Sequence, residues 1–244
     1  MRSIIIIPVI LSLIGCGSVN TDDITAEWPV EQLYSEARKE LSKGNYLTSI
    51  EYYETLESRY PFGNYATQAQ IDVAYAYFKF NEPDSAITAI GRFIKLHPRH
   101  ESVDYAYYLK GLVNFERGGS LLDFIYERDL SDFDKHLLLT SYRDFGLLLK
   151  RFPSSKYAAD AHKRMIYLRN QLATADLKIA RYYASRKAWV AVTNRTKLIL
   201  QNYQGTHSIK PALEMQLEAY QQLGLDDLAQ DTQRIIDLNY ARDS

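Results

Sequence analysis

The sequence has one cysteine, Cys16, among its 244 residues, which excludes an internal disulfide and a cysteine-based metal cluster. Its 11 glycines and 7 prolines are too few for a collagen-like or low-complexity chain. Neither sign of charge dominates, since 29 Lys and Arg stand against 30 Asp and Glu for a net charge of −1. This balance argues against a general nucleic-acid-binding protein. Hydrophobic residues make up 46% of the chain, which is enough to bury a globular core.

The longest apolar run lies at the N-terminus and is too short to span a membrane. It follows Arg2, extends from Ile4 to Ile14, and is interrupted only by Ser12. A helix of this length measures about 16 Å, roughly half the thickness of the hydrocarbon layer. Residues 1–15 are therefore predicted to be an export signal that is removed from the mature protein.

The four residues that end this run, Leu13-Ile14-Gly15-Cys16, resemble the bacterial lipobox. In that motif the signal is cleaved before the cysteine, whose thiol is lipidated. Cys16 is then the lipid anchor of a soluble domain, and residues 16–28 form a flexible tether. By resemblance to the Gram-negative sorting rule, Gly17 in place of Asp favours the outer membrane. The alternative is a free thiol in an ordinary signal peptide.

Beyond the tether the periodicity is helical. Apolar residues recur at spacings of three and four, and no alternating stretch persists, so the predicted fold class is all-α. A helix-turn-helix register of 34 residues places Pro61 and Pro98 at its last position and small residues at Ala37, Ala74 and Gly111, which lie 37 residues apart. Units of this kind resemble tetratricopeptide repeats, which stack into an elongated superhelical solenoid.

Five such repeats are predicted, at 30–61, 67–98, 104–153, 173–204 and 210–241. The third contains an insert near residues 117–135, which is predicted to be a short helix or loop. Residues 154–172 fit no repeat and are predicted to form an extra helix with Ser154 or Ser155 as its N-cap. The resulting layout has amino-terminal repeats at 29–153, and an extra helix with carboxy-terminal repeats at 154–244.

Signals of catalysis and of metal binding are missing from the sequence. It has no Gly-x-Ser-x-Gly, Walker or dinucleotide-binding pattern. The histidines form no His-x-x-x-His pair and are predicted to be solvated rather than metal ligands; they are His97, His100, His136, His162 and His207. The sequence therefore predicts a protein that is not an enzyme and holds no metal or cofactor.

Aromatic residues are unusually abundant, with 20 Tyr, 9 Phe and 2 Trp. In stacked hairpins the first helices line the concave surface, and their inward positions are Tyr34, Arg38, Leu41, Ile71, Tyr75, Phe78, Tyr105, Tyr108, Leu112 and Phe115, with Lys79 beside them. An aromatic groove with cationic margins suits an extended peptide with alternating apolar side chains and a terminal carboxylate. The alternative is that the rings belong to the core. We favour this for Tyr77 and Phe93, whereas Tyr75, Phe78 and Tyr108 are expected to be exposed.

Five segments carry a closer resemblance. They are Arg59-Tyr60-Pro61-Phe62-Gly63, Asp72-Val73-Ala74-Tyr75-Ala76-Tyr77, Val103-Asp104-Tyr105 with Lys110-Gly111, Arg128-Asp129-Leu130-Ser131-Asp132, and Ala188-Trp189-Val190-Ala191-Val192 with Asn194-Arg195. Together they resemble the BamD (ComL-like) family, the tetratricopeptide-repeat lipoproteins of the β-barrel assembly machinery. The resemblance extends from the lipobox almost to the C-terminus.

The resemblance implies a function and partners. Members of this family hold unfolded outer-membrane proteins by their C-terminal signals. They dock on the periplasmic POTRA domains of the barrel-forming subunit, beside other lipoproteins of the machinery, at the periplasmic face of the outer membrane. By this resemblance Tyr60 and Phe62 belong to the substrate-recognition region, and Arg195 contacts the last periplasmic domain of the barrel-forming subunit. The residues alone place Arg195 on a second helix, where an unpaired cation is ordinarily solvated surface.

Two other functions stay open from the sequence. One is a periplasmic repeat lipoprotein that organises cell-wall or division proteins. The other is a helical-solenoid cell-wall lytic enzyme, which would require a catalytic acid domain for which no residues remain.

Overall fold

The computed structural model describes residues 24–117 and 134–240. Over these residues the chain is helical and has no strand, which confirms the all-α fold class. The helices described are α1 Val30–Lys43, α2 Tyr46–Arg59, α3 Asn64–Lys79, α4 Pro83–Leu96, α5 Val103–Arg117, α6 Lys135–Arg151, α7 Ala158–Ser185, α8 Trp189–Asn202, α9 Ile209–Gln222 and α10 Asp226–Tyr240. Cys16 and most of the predicted insert lie outside the described residues.

The helices stack in chain order. Each packs chiefly against the helices that precede and follow it, and first helices of neighbouring pairs also touch, α1 with α3, α3 with α5, and α7 with α9. The buried hydrophobic residues accordingly form successive clusters along the stack. Contacts that run from one helix pair to the next are the defining feature of a solenoid.

Proline determines where three of the second helices end. Helices α2, α4 and α6 end just before Tyr60, His97 and Phe152, and each of these residues precedes a proline. Their φ angles are −127°, −127° and −134° respectively. Steric conflict with the proline ring keeps the preceding residue out of the helical region. The N–H group of each still donates to the carbonyl four residues back, at 2.8 Å.

Small residues let the two helices of a pair approach closely. Ala37 and Ala74 are fully buried, and Gly111 is also buried. The Ser49 hydroxyl donates to the Ala37 carbonyl at 2.9 Å, and the Ser141 hydroxyl donates to the Gly111 carbonyl at 3.1 Å. The same bond therefore joins the two helices in the first and third pairs, at the small position that set the sequence register.

The segment after the third pair differs from the prediction. Instead of an extra helix followed by a separate fourth repeat, α7 runs unbroken for 28 residues. Residues 158–185 contain neither Gly nor Pro, so nothing interrupts the backbone hydrogen bonding of a single long helix. The first helix of the fourth pair is thus twice the predicted length, and its first half packs on the third pair.

The predicted N-cap of this helix is also wrong. The N-cap position is Tyr157, which makes no side-chain cap bond. The Ser155 hydroxyl donates instead to Oδ2 of Asp104 at 2.7 Å, and its oxygen accepts from the Tyr157 N–H at 3.2 Å. Ser155 therefore links the turn before α7 to the start of α5 by hydrogen bonds.

Candidate functional site

The predicted groove residues lie on α1, α3 and α5, the first helices of the first three pairs. Five aromatic side chains among them are partly exposed, namely Tyr34, Tyr75, Phe78, Tyr105 and Tyr108. The two predicted cations, Arg38 and Lys79, are exposed. The Arg38 guanidinium carbon lies 5.9 Å from the centroid of the Tyr34 ring, within reach of a cation–π contact.

Two residues assigned to this surface belong to the core. Ile71 and Phe115 are each only 1% exposed. The Phe115 ring is enclosed by Phe145 on α6 and Tyr167 on α7, at centroid distances of 6.4 and 6.1 Å. Because α7 extends across the third pair, it covers a position that an isolated repeat would leave open.

A half-buried carboxylate, Asp72, lies beside the amino-terminal part of the surface. Oδ2 of Asp72 accepts hydrogen bonds from the hydroxyls of Tyr34 at 2.9 Å and Tyr53 at 3.4 Å, and Oδ1 accepts from Nε2 of Gln68 at 2.9 Å. Burial is the main cause that raises the pKa of Asp72. Burial and the Asp72 charge likewise raise the pKa of Tyr34 and of Tyr53. The cluster fixes the Tyr34 ring between α1 and α3.

Sequence reasoning missed this cluster. The available signal was a carboxylate inside an apolar stretch, Ile71-Asp72-Val73-Ala74. A charged group at such a position needs hydrogen-bond partners from neighbouring helices. Its tyrosine and glutamine partners come partly from other elements, so spacing along the chain did not identify them.

A cleft of about 510 Å³ opens beside Tyr34. It is lined by Tyr34, Asn64, Tyr65, Thr67, Gln68, His97, His100 and Glu101. The two histidines were predicted to be solvated, but they are half-buried and their rings lie 5.3 and 5.4 Å from the Phe93 ring. Burial lowers the pKa of His97, and its Nε2 lies 2.9 Å from Oε1 of Gln70.

Exposed aromatic side chains lie at the α2–α3 turn, next to this cleft in sequence. Phe62 is 90% exposed, Tyr65 is 39% exposed and Tyr60 is 36% exposed. The Tyr60 hydroxyl donates to the Trp28 carbonyl at 3.2 Å. Gly63 adopts a φ of +102°, a positive value that glycine accepts without strain. The turn thus presents the Phe62 ring to solvent.

The third-pair part of the surface is covered by the start of α7. The rings of Tyr108 and Tyr157 are stacked at 4.7 Å with an interplanar angle of 13°, and the Tyr105 ring lies 5.4 Å from Tyr157. The Tyr108 hydroxyl donates to Oδ2 of Asp160 at 2.7 Å. Burial, with the bond to Asp160, raises the pKa of Tyr108 to about 12. The open aromatic surface is therefore at the first two pairs.

Arg195 lies on α8, and the structure gives it a partner. Its Nη1 donates to Oδ1 of Asp176 on α7 at 2.9 Å. Nζ of Lys135, at the start of α6, lies 2.8 and 2.7 Å from the two oxygens of the same carboxylate. Burial, followed by the charge of Asp176, raises the pKa of Tyr203. The sequence treated Arg195 as unpaired, whereas it belongs to an ion-pair cluster around the buried Asp176 carboxylate.

Within residues 24–117 and 134–240, no group of three or more His, Cys, Asp or Glu side chains could hold a metal ion. In the same part of the chain, no helix combines the length and the apolarity that a membrane span requires.

Comparison with known proteins gives one family and several relatives. The profile of a family described as YfiO, outer membrane lipoprotein, matches residues 26–235. A protein of Neisseria meningitidis serogroup A named outer membrane protein assembly factor BamD is 43% identical over 236 residues, covering 95% of this chain and 88% of the relative. Its namesake in Vibrio cholerae is 41% identical, covering 93% of each chain. That of Haemophilus influenzae is 34% identical, covering 98% of this chain and 90% of its own.

Among solved structures, the chain is similar to the crystal structure of MamA protein, with a TM-score of 0.33 and 18% identity over 86% of this chain and 94% of MamA. It is also similar to a putative kinesin light chain with nearly identical TPR-like repeats from Podosopora anserina. There the TM-score is 0.38 and the identity 13%, over 87% of this chain and 96% of that one.

Proposed function

Since the chain belongs to the YfiO family of outer membrane lipoproteins, we propose that it acts in outer membrane protein assembly as a non-catalytic scaffold. Its relatives carry the name outer membrane protein assembly factor, which supports this role. In the proposed role the chain is also a receptor for the C-terminal signals of unfolded outer-membrane proteins. The anchor is a lipid on Cys16, and the domain faces the periplasm.

The observation that carries the receptor role is the exposed aromatic edge at the α2–α3 turn. Covering Phe62, which is 90% exposed, removes apolar surface from water and therefore favours binding. Tyr60 and Tyr65 of the same turn are also exposed, and exposed apolar groups that occur together mark interaction sites. The adjacent cleft offers the aromatic rings of Tyr34 and Tyr65 together with the amides of Asn64 and Gln68. Rings bind apolar side chains and amides bond to backbone groups, which is what an extended peptide presents.

The charge of the surface favours a peptide terminus at one end. Arg38 is exposed beside Tyr34, where its guanidinium is available to a terminal carboxylate through charge-assisted hydrogen bonds. Asp72 carries the opposite charge, but it is half-buried and already accepts hydrogen bonds from two tyrosine hydroxyls and Gln68, and the nearby Arg38 charge opposes the rise of its pKa. The terminus therefore belongs near Arg38 rather than above Asp72.

A binding measurement with a synthetic peptide tests this role. The peptide ends in phenylalanine and carries apolar side chains at alternate positions, and its affinity is measured by fluorescence anisotropy. Phe62→Ala is expected to weaken binding by about threefold to tenfold, because one aromatic contact contributes about 0.5 to 1.5 kcal/mol. Phe80→Ala is the matched control, since Phe80 is also exposed but follows the other end of α3. Equal effects of the two substitutions would contradict the receptor site.

The carboxy-terminal pairs are the proposed docking region. Here Arg195 contacts a periplasmic POTRA domain of the barrel-forming subunit, and other lipoproteins of the assembly machinery bind alongside. The support for this assignment is the family membership together with the position of Arg195, which is 27% exposed over a buried carboxylate. Co-purification from detergent-solubilised outer membranes tests it, with Arg195→Glu expected to reduce recovery of the barrel-forming subunit.

A further inference from the structure

A second cleft lies next to the cleft beside Tyr34, which we call the first cleft. The second cleft has a volume of about 610 Å³ and opens between the α4–α5 turn and the α6–α7 turn. His100 and Glu101 line both clefts. The two clefts therefore meet at these two residues, along the edge of the stack where second helices end and first helices begin.

The two turns that form the walls of the second cleft have the same backbone hydrogen bond. In the α4–α5 turn the His100 N–H donates to the His97 carbonyl at 3.1 Å, and in the α6–α7 turn the Ser155 N–H donates to the Phe152 carbonyl at 3.0 Å. The Ser155 hydroxyl also donates to Oδ2 of Asp104 at 2.7 Å, which joins one wall to the other. The cleft is therefore a preformed opening, as ligand sites usually are.

We propose that the second cleft binds the same peptide as the first cleft, and that Arg99 and Arg151 there accept an acidic side chain about six residues from the peptide's C-terminus. This inference rests on the proposed receptor function. It adds a second subsite, a chemical class for the side chain that occupies it, and the two residues that select this side chain.

The path of the peptide follows from the surroundings of the first cleft. Along the first helices the surface is closed at the third pair, where Tyr157 stacks on Tyr108 and Asp160 accepts its hydroxyl. A peptide longer than the first cleft therefore continues along the edge, past His100. Since the proposed place of its terminus is near Arg38, the second cleft receives the residues that precede the terminus.

The spacing of the helix pairs sets the position of this acidic side chain. Packed helices lie about 8 to 10 Å apart, so equivalent points on successive pairs are separated by roughly 16 to 20 Å. An extended chain advances about 3.3 Å per residue. About five or six residues therefore lead from the first cleft to the second.

Arginine side chains from both walls give the second cleft its selectivity. Arg99 lies in the α4–α5 turn and Arg151 is the last residue of α6, and both are exposed. The Arg151 guanidinium carbon lies 5.4 Å from the centroid of the Tyr107 ring. This cation–π contact restricts the side chain while its N–H donors stay available. A carboxylate between two guanidinium groups forms charge-assisted hydrogen bonds with both.

The acidic residues of the clefts favour the same placement. Oδ2 of Asp104 already accepts a hydrogen bond from Ser155. Glu101 is exposed and lines both clefts, so it repels a carboxylate at their boundary. Beyond the boundary, Arg99 and Arg151 line the second cleft. An acidic side chain of the peptide is therefore accepted in the second cleft rather than at the boundary or in the first.

Labelled peptides of two lengths test the second subsite. Both end in phenylalanine with apolar side chains at alternate positions, and they contain about six and about twelve residues. In the longer peptide a glutamate is placed in turn at each of several positions, with glutamine as its neutral match. Fluorescence anisotropy measures affinity for the full mature chain. Glutamate should bind about threefold to fivefold more tightly than glutamine, with the largest ratio about six residues from the C-terminus.

Substitution of both arginines identifies the group that reads the glutamate. Arg99→Gln with Arg151→Gln should bring the ratio of the glutamate and glutamine peptides close to one and leave the affinity of the short peptide unchanged. Lys95→Gln with Arg143→Gln is the matched control, because both residues are exposed on the same two helices, α4 and α6, and the net charge changes equally. Arg99→Glu with Arg151→Glu should reverse the preference, so that a lysine peptide binds more tightly than the glutamate peptide.

The two peptide lengths separate this inference from the proposed function. If the short peptide binds and glutamate and glutamine peptides bind equally at every position, the second subsite is refuted while the receptor function stands. A control pair that lowers the ratio as much as the Arg99 and Arg151 pair assigns the effect to overall charge and also overturns the proposal. If peptides of both lengths fail to bind, the receptor function is refuted and this inference with it.

Discussion

The ring of Phe145 on α6 lies 2.6 Å from the point that a Cβ on Gly111 of α5 would occupy. Nothing larger than hydrogen fits at Gly111 unless this ring moves. Phe145 is fully buried, and its ring lies 6.1 Å from that of Tyr108 and 6.4 Å from that of Phe115. It therefore has little space into which to move.

We expect Gly111→Ala to lower the free energy of unfolding by about 1 to 3 kcal/mol, the usual cost of overpacking a core. Helix propensity alone predicts the opposite, since alanine is favoured over glycine by about 1 kcal/mol within a helix. Gly91→Ala is the control, because Gly91 is exposed on α4 with no atom within 4 Å of a new Cβ. Thermal denaturation followed by circular dichroism should show a lower melting temperature for the first variant and a higher one for the second.

The regular positions of the small residues explain why the helix pairs were predictable. Ala37, Ala74 and Gly111 recur at a fixed spacing, and each marks a place where two helices touch, so periodicity along the chain encodes contacts in the fold. The long helix α7 was missed for the converse reason. Its first half belongs to no repeat, and the register supplied an artificial boundary at Ala173 where the chain has no helix-breaking residue. The absence of Gly and Pro was the better signal.

The raised pKa of Asp72 predicts a specific pH dependence. Because burial raises this pKa in the folded chain, the folded chain binds a proton at higher pH than the unfolded chain, in which the Asp pKa is about 3.9. Stability contributed by this group therefore increases as the pH falls through the folded pKa and is complete below the unfolded value. Asp72→Asn has no such response. The melting temperature of the wild type relative to this variant should rise between pH 7 and pH 4.

The same comparison with Asp237→Asn isolates the effect of burial. Asp237 is exposed on α10, so its substitution removes a solvated charge. The difference between the wild type and this variant should change much less over the same pH range. A larger pH response at Asp237 than at Asp72 would contradict the assignment of Asp72 as the group whose pKa is raised by partial burial.

Replacing Cys16 with Ser tests the predicted lipid anchor. The variant is expected to lose acylation and to remain unprocessed or become soluble, because the thiol is the group that the lipobox modifies. Metabolic labelling with a palmitate analogue and fractionation after a high-salt wash measure both effects. A variant that still fractionates with the outer membrane would refute the lipobox interpretation.

Sequence positions identified which aromatic residues lie on the first helices but not what covers them. Tyr34, Tyr75 and Tyr108 all lie on first helices and are half-buried. Tyr157 stacks on Tyr108 from a turn that the repeat register does not include. The Asp176 cluster was missed because Lys135, Asp176 and Arg195 come from three helices. Only their packing brings the charges within 3 Å.

The difference between the two parts of the surface can be measured directly. Tyr65 is 39% exposed beside the cleft, whereas Tyr108 is stacked on Tyr157 and hydrogen-bonded to Asp160. Tyr65→Ala should therefore weaken binding of the peptide by about threefold to tenfold, with a small change in melting temperature. Tyr108→Ala should instead lower the melting temperature, since it removes a packed ring and its hydrogen bond. At a temperature where this variant is folded, its peptide affinity should stay within about twofold of the wild-type value, because distant sites act independently. Photocrosslinkers at the two positions provide a second measurement, with peptide adducts expected at Tyr65 only. If Tyr108 crosslinks to the peptide and Tyr65 does not, the binding surface lies at the third pair, and α7 must move aside when the peptide binds.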